Sequence, residues 1–99
     1  MSSFHLYTPK TIATDLAEKV KALRLQANWT QQTLAERSGV SLGSLRRFEQ
    51  KGQISLDALL LLVSALGRLN DFTVLLNPPQ VNSLKALEAR AKTRQRGRI

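Results

Sequence analysis

Apolar side chains recur at Ile12, Leu16, Val20, Leu23 and Ala27, separated by four, four, three and four residues, which places them on one face of a helix. The spacing predicts a first helix over residues 11 to 27. Asn28-Trp29-Thr30 interrupts it, and Thr30 is suited to cap a second helix over residues 31 to 37, because its hydroxyl can accept a first-turn N–H that no helical carbonyl reaches. Ser38-Gly39-Val40-Ser41 then joins a glycine able to take the left-handed conformation to a serine suited to begin another helix. The pattern reads helix, tight turn, helix. The third helix, residues 42 to 50, hides Leu45 and Phe48 and leaves Leu42, Gly43, Ser44, Arg46 and Arg47 outside, and Lys51-Gly52 ends it. Ser55 caps a fourth helix over residues 56 to 66, closed by Gly67, and a short fifth segment is expected at about residues 70 to 76.

These elements imply a packing scheme. Leu34, Ala35, Val40, Leu45 and Phe48 should knot the second and third helices together, with Trp29 packed over the first two. The fourth helix is apolar nearly all round: Leu59, Leu60, Val63 and Leu66 form one face, while Leu61, with Ala58 and Ala65, points away from it. The second surface is covered either by the fifth segment, through Leu69, Phe72, Leu75 and Leu76, or by a dimer interface that includes it. Pro78-Pro79 cannot continue a helix. The expected organisation is therefore an arm at residues 1 to 10, a domain at 11 to 77 and a tail at 78 to 99. Ser83 starts one more helical stretch bearing Leu84, Leu87 and Ala91, and residues 81 to 99 carry six Lys or Arg against the lone Glu88. Three readings of this basic tail stay open: a solvated charge run, an arm on a DNA backbone, or a segment that folds on a protein partner.

Charge narrows the function. Fifteen Lys and Arg against seven Asp and Glu give a net charge of +8 in 99 residues, which favours an anionic polymer or surface as partner, nucleic acid first. The absence of cysteine excludes a disulfide framework and a thiolate metal site, and a lone His5 cannot build an imidazole cluster. No metal and no cofactor is expected. No apolar run approaches the ~20 residues that span a bilayer, so no membrane partner is expected and a cytoplasmic, nucleoid-associated protein is. No nucleophile stands paired with a base and no glycine-rich phosphate loop is present, so no enzyme is expected. The rival class is an interaction module whose basic charge serves an acidic protein or a membrane.

The run Thr30-Gln-Gln-Thr-Leu-Ala-Glu-Arg-Ser-Gly-Val-Ser-Leu-Gly-Ser-Leu-Arg-Arg-Phe-Glu-Gln-Lys-Gly52 resembles the helix-turn-helix of the Cro and CI repressor superfamily, the XRE family. With the Leu-rich helix that follows, the resemblance covers about residues 11 to 76. It implies an all-α, five-helix lambda-repressor-like DNA-binding domain, here followed by a basic C-terminal extension. Such a domain would act as a homodimeric repressor on inverted repeats in double-stranded DNA. The physical basis is general: a helix fits the major groove, where each base pair presents a distinct pattern, and a second helix braces it. The family's base-reading positions map to Leu42, Gly43, Ser44, Arg46 and Arg47, of which the two arginines can each clamp a guanine with two hydrogen bonds. Positions expected at phosphates are Thr30, Gln31, Gln32, Ser41, Lys51, Gln53 and Ser55. Arg24 and Glu49 match a buried ion pair of related repressors. Gly43 departs from the family, which commonly carries a polar base-reading side chain there.

A second resemblance, to HipB-like antitoxins, rests on Ser44-Leu-Arg-Arg-Phe-Glu-Gln-Lys-Gly-Gln-Ile-Ser-Leu56, on Leu76-Asn-Pro-Pro79 and on Ser83-Leu-Lys-Ala-Leu-Glu-Ala-Arg-Ala-Lys92. It implies a HipA-like kinase toxin as protein partner and repression of the shared operon. The neighbouring gene separates this from a free-standing or prophage regulator.

Overall fold

A computed structural model of the chain describes residues 7–79. The expectations for His5 and the start of the arm, for the helical stretch from Ser83 and for the basic tail lie outside the described residues. Those residues form α1 (Pro9–Gln26), α2 (Gln31–Ser38), α3 (Leu42–Lys51), α4 (Leu56–Ala65) and a 3₁₀ turn (Leu69–Phe72), with no strand among them.

Every α-helix starts on a hydroxyl. The side chains of Thr8, Thr30, Ser41 and Ser55 accept the backbone N–H three residues on, from Thr11, Thr33, Ser44 and Ala58, at 3.0–3.1 Å, satisfying one orphan donor each. At α1 the cap is reciprocal, since Thr11 Oγ1 accepts the Thr8 N–H at 2.9 Å, and Pro9 at the first helical position has no N–H to leave unpaired. This is why α1 begins two residues before the Thr11 that apolar periodicity selected. Left-handed Gly39 (φ 81°) and Gly52 (φ 71°) end α2 and α3, each with its N–H on the carbonyl four residues back.

One core holds the four helices. Leu34, Leu45, Phe48, Leu62 and Val20 are its largest fully buried side chains, joined by Ala17, Ala35, Val40, Leu59 and Val63. Each fully buried Leu or Phe contributes roughly 1.5–3 kcal/mol. All five residues expected to knot α2 to α3 lie in it, and Trp29 packs half-buried against it.

The structure corrects the sequence reading at four places. On α1 the buried face runs through Ala17, Val20 and Arg24, while Ile12 is 48 % exposed and Ala27 lies past the helix end. Arg24 enters the core because it finds a buried partner there. On α4 the deepest residue is Leu62, with Ala58, Leu60, Ala65 and Leu66 half-buried around it, while Leu59 and Val63 are buried and Leu61 points outside as expected. Leu42, expected outside, is half-buried against the core. Finally, the fifth helix is replaced by the 3₁₀ turn and further turns to Leu76. Asp71, Thr73, Leu75 and Asn77 each donate their N–H three residues back, and the Thr73 hydroxyl donates to the Asn70 carbonyl at 2.8 Å. Asn, Asp and Thr compete in this way with α-helical pairing, and no side chain caps the segment's start.

Candidate nucleic-acid interface

Positions 43, 46, 47 and 50 fall on one side of α3 by the i, i+3, i+4, i+7 rule. The four residues there, Gly43, Arg46, Arg47 and Gln50, are all exposed, as are Ser44 and Lys51. Leu45 and Phe48 anchor the opposite side. The one carboxylate of α3, on Glu49, faces inward with its side chain 4 % exposed. The outward surface of the helix therefore carries three cations and no anion, and such a surface suits a polyanion.

Glu49 ties this helix to the others. Arg24 on α1 donates from Nε to Glu49 Oε2 at 2.8 Å and from Nη2 to Oε1 at 3.0 Å, a planar fork-to-fork pair. Its remaining Nη1 donates to the Trp29 carbonyl at 2.9 Å. Gln31, in the first turn of α2, donates from Nε2 to Glu49 Oε1 at 2.9 Å. One carboxylate thus links α1, the corner before α2, the start of α2 and α3. Above the corner, the Arg37 guanidinium lies 4.6 Å from the centre of the Trp29 ring, within reach of a cation–π attraction.

The residues assigned to phosphate fall into two groups. Thr30, Gln31 and Gln32 stand at the start of α2, where the Thr30 hydroxyl donates to Thr33 Oγ1 and Gln32 donates to Glu36 at 3.0 Å. Lys51, Gln53 and Ser55 stand at the other end of α3 and in the connection to α4. Ser41 caps α3, and its hydroxyl donates to Ser44 Oγ at 2.9 Å. A shallow cleft lined by Ser44, Arg47, Gln53, Ile54, Ser55 and Ala58 joins members of the base-reading and phosphate sets. Across it, Arg47 Nε donates to Gln53 Oε1 at 2.9 Å.

Three features of this surface escaped the sequence reading. Gln50 stands outward in line with Gly43 and the arginines, and its place seven residues after Gly43 was a signal available from periodicity alone. The Arg47–Gln53 and Gln31–Glu49 hydrogen bonds join groups 6 and 18 residues apart, beyond the reach of local pattern. Among the described residues no group of His, Cys, Asp or Glu is arranged to hold a metal ion, and no helix is long and apolar enough to cross a membrane.

A short, capped helix with a cationic outer face, locked by a glycine turn to a bracing helix, defines a helix-turn-helix module. The helix-turn-helix family model matches residues 20–70, just over half of the chain, and covers everything from the middle of α1 to the 3₁₀ turn. The chain belongs to this family and is a DNA-binding regulator of the XRE type. No curated protein matches it.

Proposed function

We infer that the protein is a sequence-specific transcriptional repressor that binds inverted repeats as a homodimer and represses its own operon. The observation that carries the reading is the outward face of α3, where Arg46 and Arg47 are exposed on a helix whose only carboxylate is turned inward and neutralised by Arg24. In this reading Arg46 and Arg47 enter the major groove and take guanines, with Gly43 and Ser44 at the base edges of the first turn, while Leu42 packs against the core. Thr30, Gln31, Gln32 and Ser41 hold phosphates on one side, and Lys51, Gln53 and Ser55 on the other. Gln31 keeps a second amide hydrogen for phosphate while the first holds Glu49.

Dimerisation is supported by two considerations. One recognition helix gives a small interface, whereas a two-fold pair spaced near ~34 Å reads a palindrome. The fold also leaves an apolar surface for a second copy: Leu61 on α4 and Leu69, Val74, Leu75 and Leu76 beyond it are 44–93 % exposed, because the 3₁₀ turn covers the core mainly through Phe72.

Selection of bound sites from random duplexes tests the reading. It should return a palindromic logo, with binding that weakens steeply as salt rises. Equal retention of scrambled duplex would defeat it. Pairing with a HipA-like kinase is the finer form of the proposal and rests on the run from Ser44 to Leu56 and on the residues from Leu76 onward; co-purification with the product of the adjacent gene tests it.

A further inference from the structure

Four glycines lie among the described residues, and three of them are required by the chain's own geometry. Gly39, Gly52 and Gly67 have φ of +81°, +71° and +74°, where a side chain is strained. Gly43 has no such reason. It occupies the second position of α3, is exposed, keeps φ outside the left-handed range, and a Cβ built on it meets nothing within 4 Å. A glycine in a helix is less stable than alanine in the same place, and here neither conformation nor close packing inside the fold compensates. A further use of glycine is to let a ligand come close to the backbone, and the empty Cβ position at Gly43 leaves room for that.

The position of Gly43 says what docks there. It lies one turn before Arg46 and Arg47 on the same outward stripe, and side chains of a helix lean toward its N-terminus. Whatever the arginines grip is therefore brought against the bare Cα of Gly43. That Cα offers no donor or acceptor side chain, and of its two neighbours Leu42 packs against the core while Ser44 is exposed, its Oγ accepting from the Ser41 hydroxyl that caps the helix. Among base edges in the major groove, the thymine C5-methyl is the apolar group. We propose that Gly43 reads thymine: the methyl of a base beside the arginine-bound pairs fills the space that a Cβ would occupy. The inference rests on the DNA-reading function proposed above and names one element of its sequence preference.

The test is a two-by-two exchange of methyl groups on the selected site. In the wild-type protein, replacing the thymine under Gly43 by uracil removes the methyl and keeps the pairing edge. Affinity should fall about fourfold per half-site, the loss expected for one uncovered methyl-sized group. Gly43→Ala puts the methyl on the protein instead. The variant should melt about 2–8 °C higher, because the helix gains alanine in open space, yet bind the thymine site about tenfold more weakly through overpacking and prefer the uracil site. The higher melting temperature separates lost recognition from lost folding. Equal affinity of wild type for thymine and uracil sites, or unchanged binding of the thymine site by Gly43→Ala, overturns the inference alone. Failure of the wild type to select any site overturns the repressor reading and this inference with it.

Discussion

Replacing Glu49 with glutamine leaves the shape of the side chain and removes its charge. In the native fold that carboxylate receives three donors at 2.8–3.0 Å, two from Arg24 and one from Gln31, and the paired side chains are 8 % and 4 % exposed. So little water reaches the pair that solvent cannot take over when one partner is lost. Breaking a buried pair from one side costs about 3–5 kcal/mol, because the surviving charge stays desolvated. In a domain this small each kcal/mol lowers the melting temperature by about 4–8 °C, so Glu49→Gln should melt at least about 12 °C below the wild type. The paired variant Arg24→Met with Glu49→Leu should regain most of this, since well-packed apolar groups replace a buried pair at little net cost. Recovery stays incomplete because the Trp29 carbonyl and the Gln31 amide lose their partners. Urea unfolding followed by far-UV circular dichroism, run as a double-mutant cycle, measures both quantities. If Glu49→Gln lies within about 0.5 kcal/mol of the wild type, the size expected of an ordinary surface change, the reasoning is refuted.

Other outcomes follow from the same geometry. Arg46→Ala and Arg47→Ala should each relax preference at one base position per half-site, by about 1–3 kcal/mol; an unchanged binding logo in both variants counts against direct readout. Lys51→Ala should weaken binding to all duplexes alike and reduce the slope of log affinity against log salt by about one per subunit, which titrations at several salt concentrations resolve. Gly39→Ala and Gly52→Ala should differ. Both residues are left-handed, but a Cβ at Gly39 meets open space while one at Gly52 falls 3.1–3.2 Å from backbone atoms of Ala13 and Thr14. The first should cost about 1–2 kcal/mol and the second more, because α1 backbone cannot move aside as a flexible side chain can; equal urea midpoints would contradict this ordering.

The elements that were legible in the sequence are those set by local chemistry. Thr30, Ser41 and Ser55 announce helix starts, and Gly39 and Gly52 announce ends, through groups only a few residues away. What escaped depended on contacts made across the fold. Counting apolar residues could not rotate α1 onto Arg24, because that side chain earns its buried place from a carboxylate 25 residues later; likeness to a repressor family supplied the pairing where periodicity could not. On α4 an almost continuous run of leucines makes every face plausible, and the positions of α2 and the 3₁₀ turn decide that Leu62 goes deepest. The stretch after Gly67 carries enough leucine to suggest a helix, yet backbone bonds three residues back, the Thr73 hydroxyl on the Asn70 carbonyl and the Arg68–Asp71 ion pair accompany turns instead. Within the candidate interface, the outward arginines were readable from spacing, whereas the Gln53 amide holding Arg47 and the Gln31 amide holding Glu49 were not.

Trp29 is the sole tryptophan of the chain, and it stands where α1, α2 and α3 are tied together, with its carbonyl on Arg24 and its ring beneath Arg37. The single indole fluorophore, which can be excited apart from Tyr7, therefore sits at the mechanical junction of the protein. Emission wavelength and quenching report the state of that corner with no label attached, so unfolding, ligand titration and the behaviour of interface variants can all be followed in one optical channel.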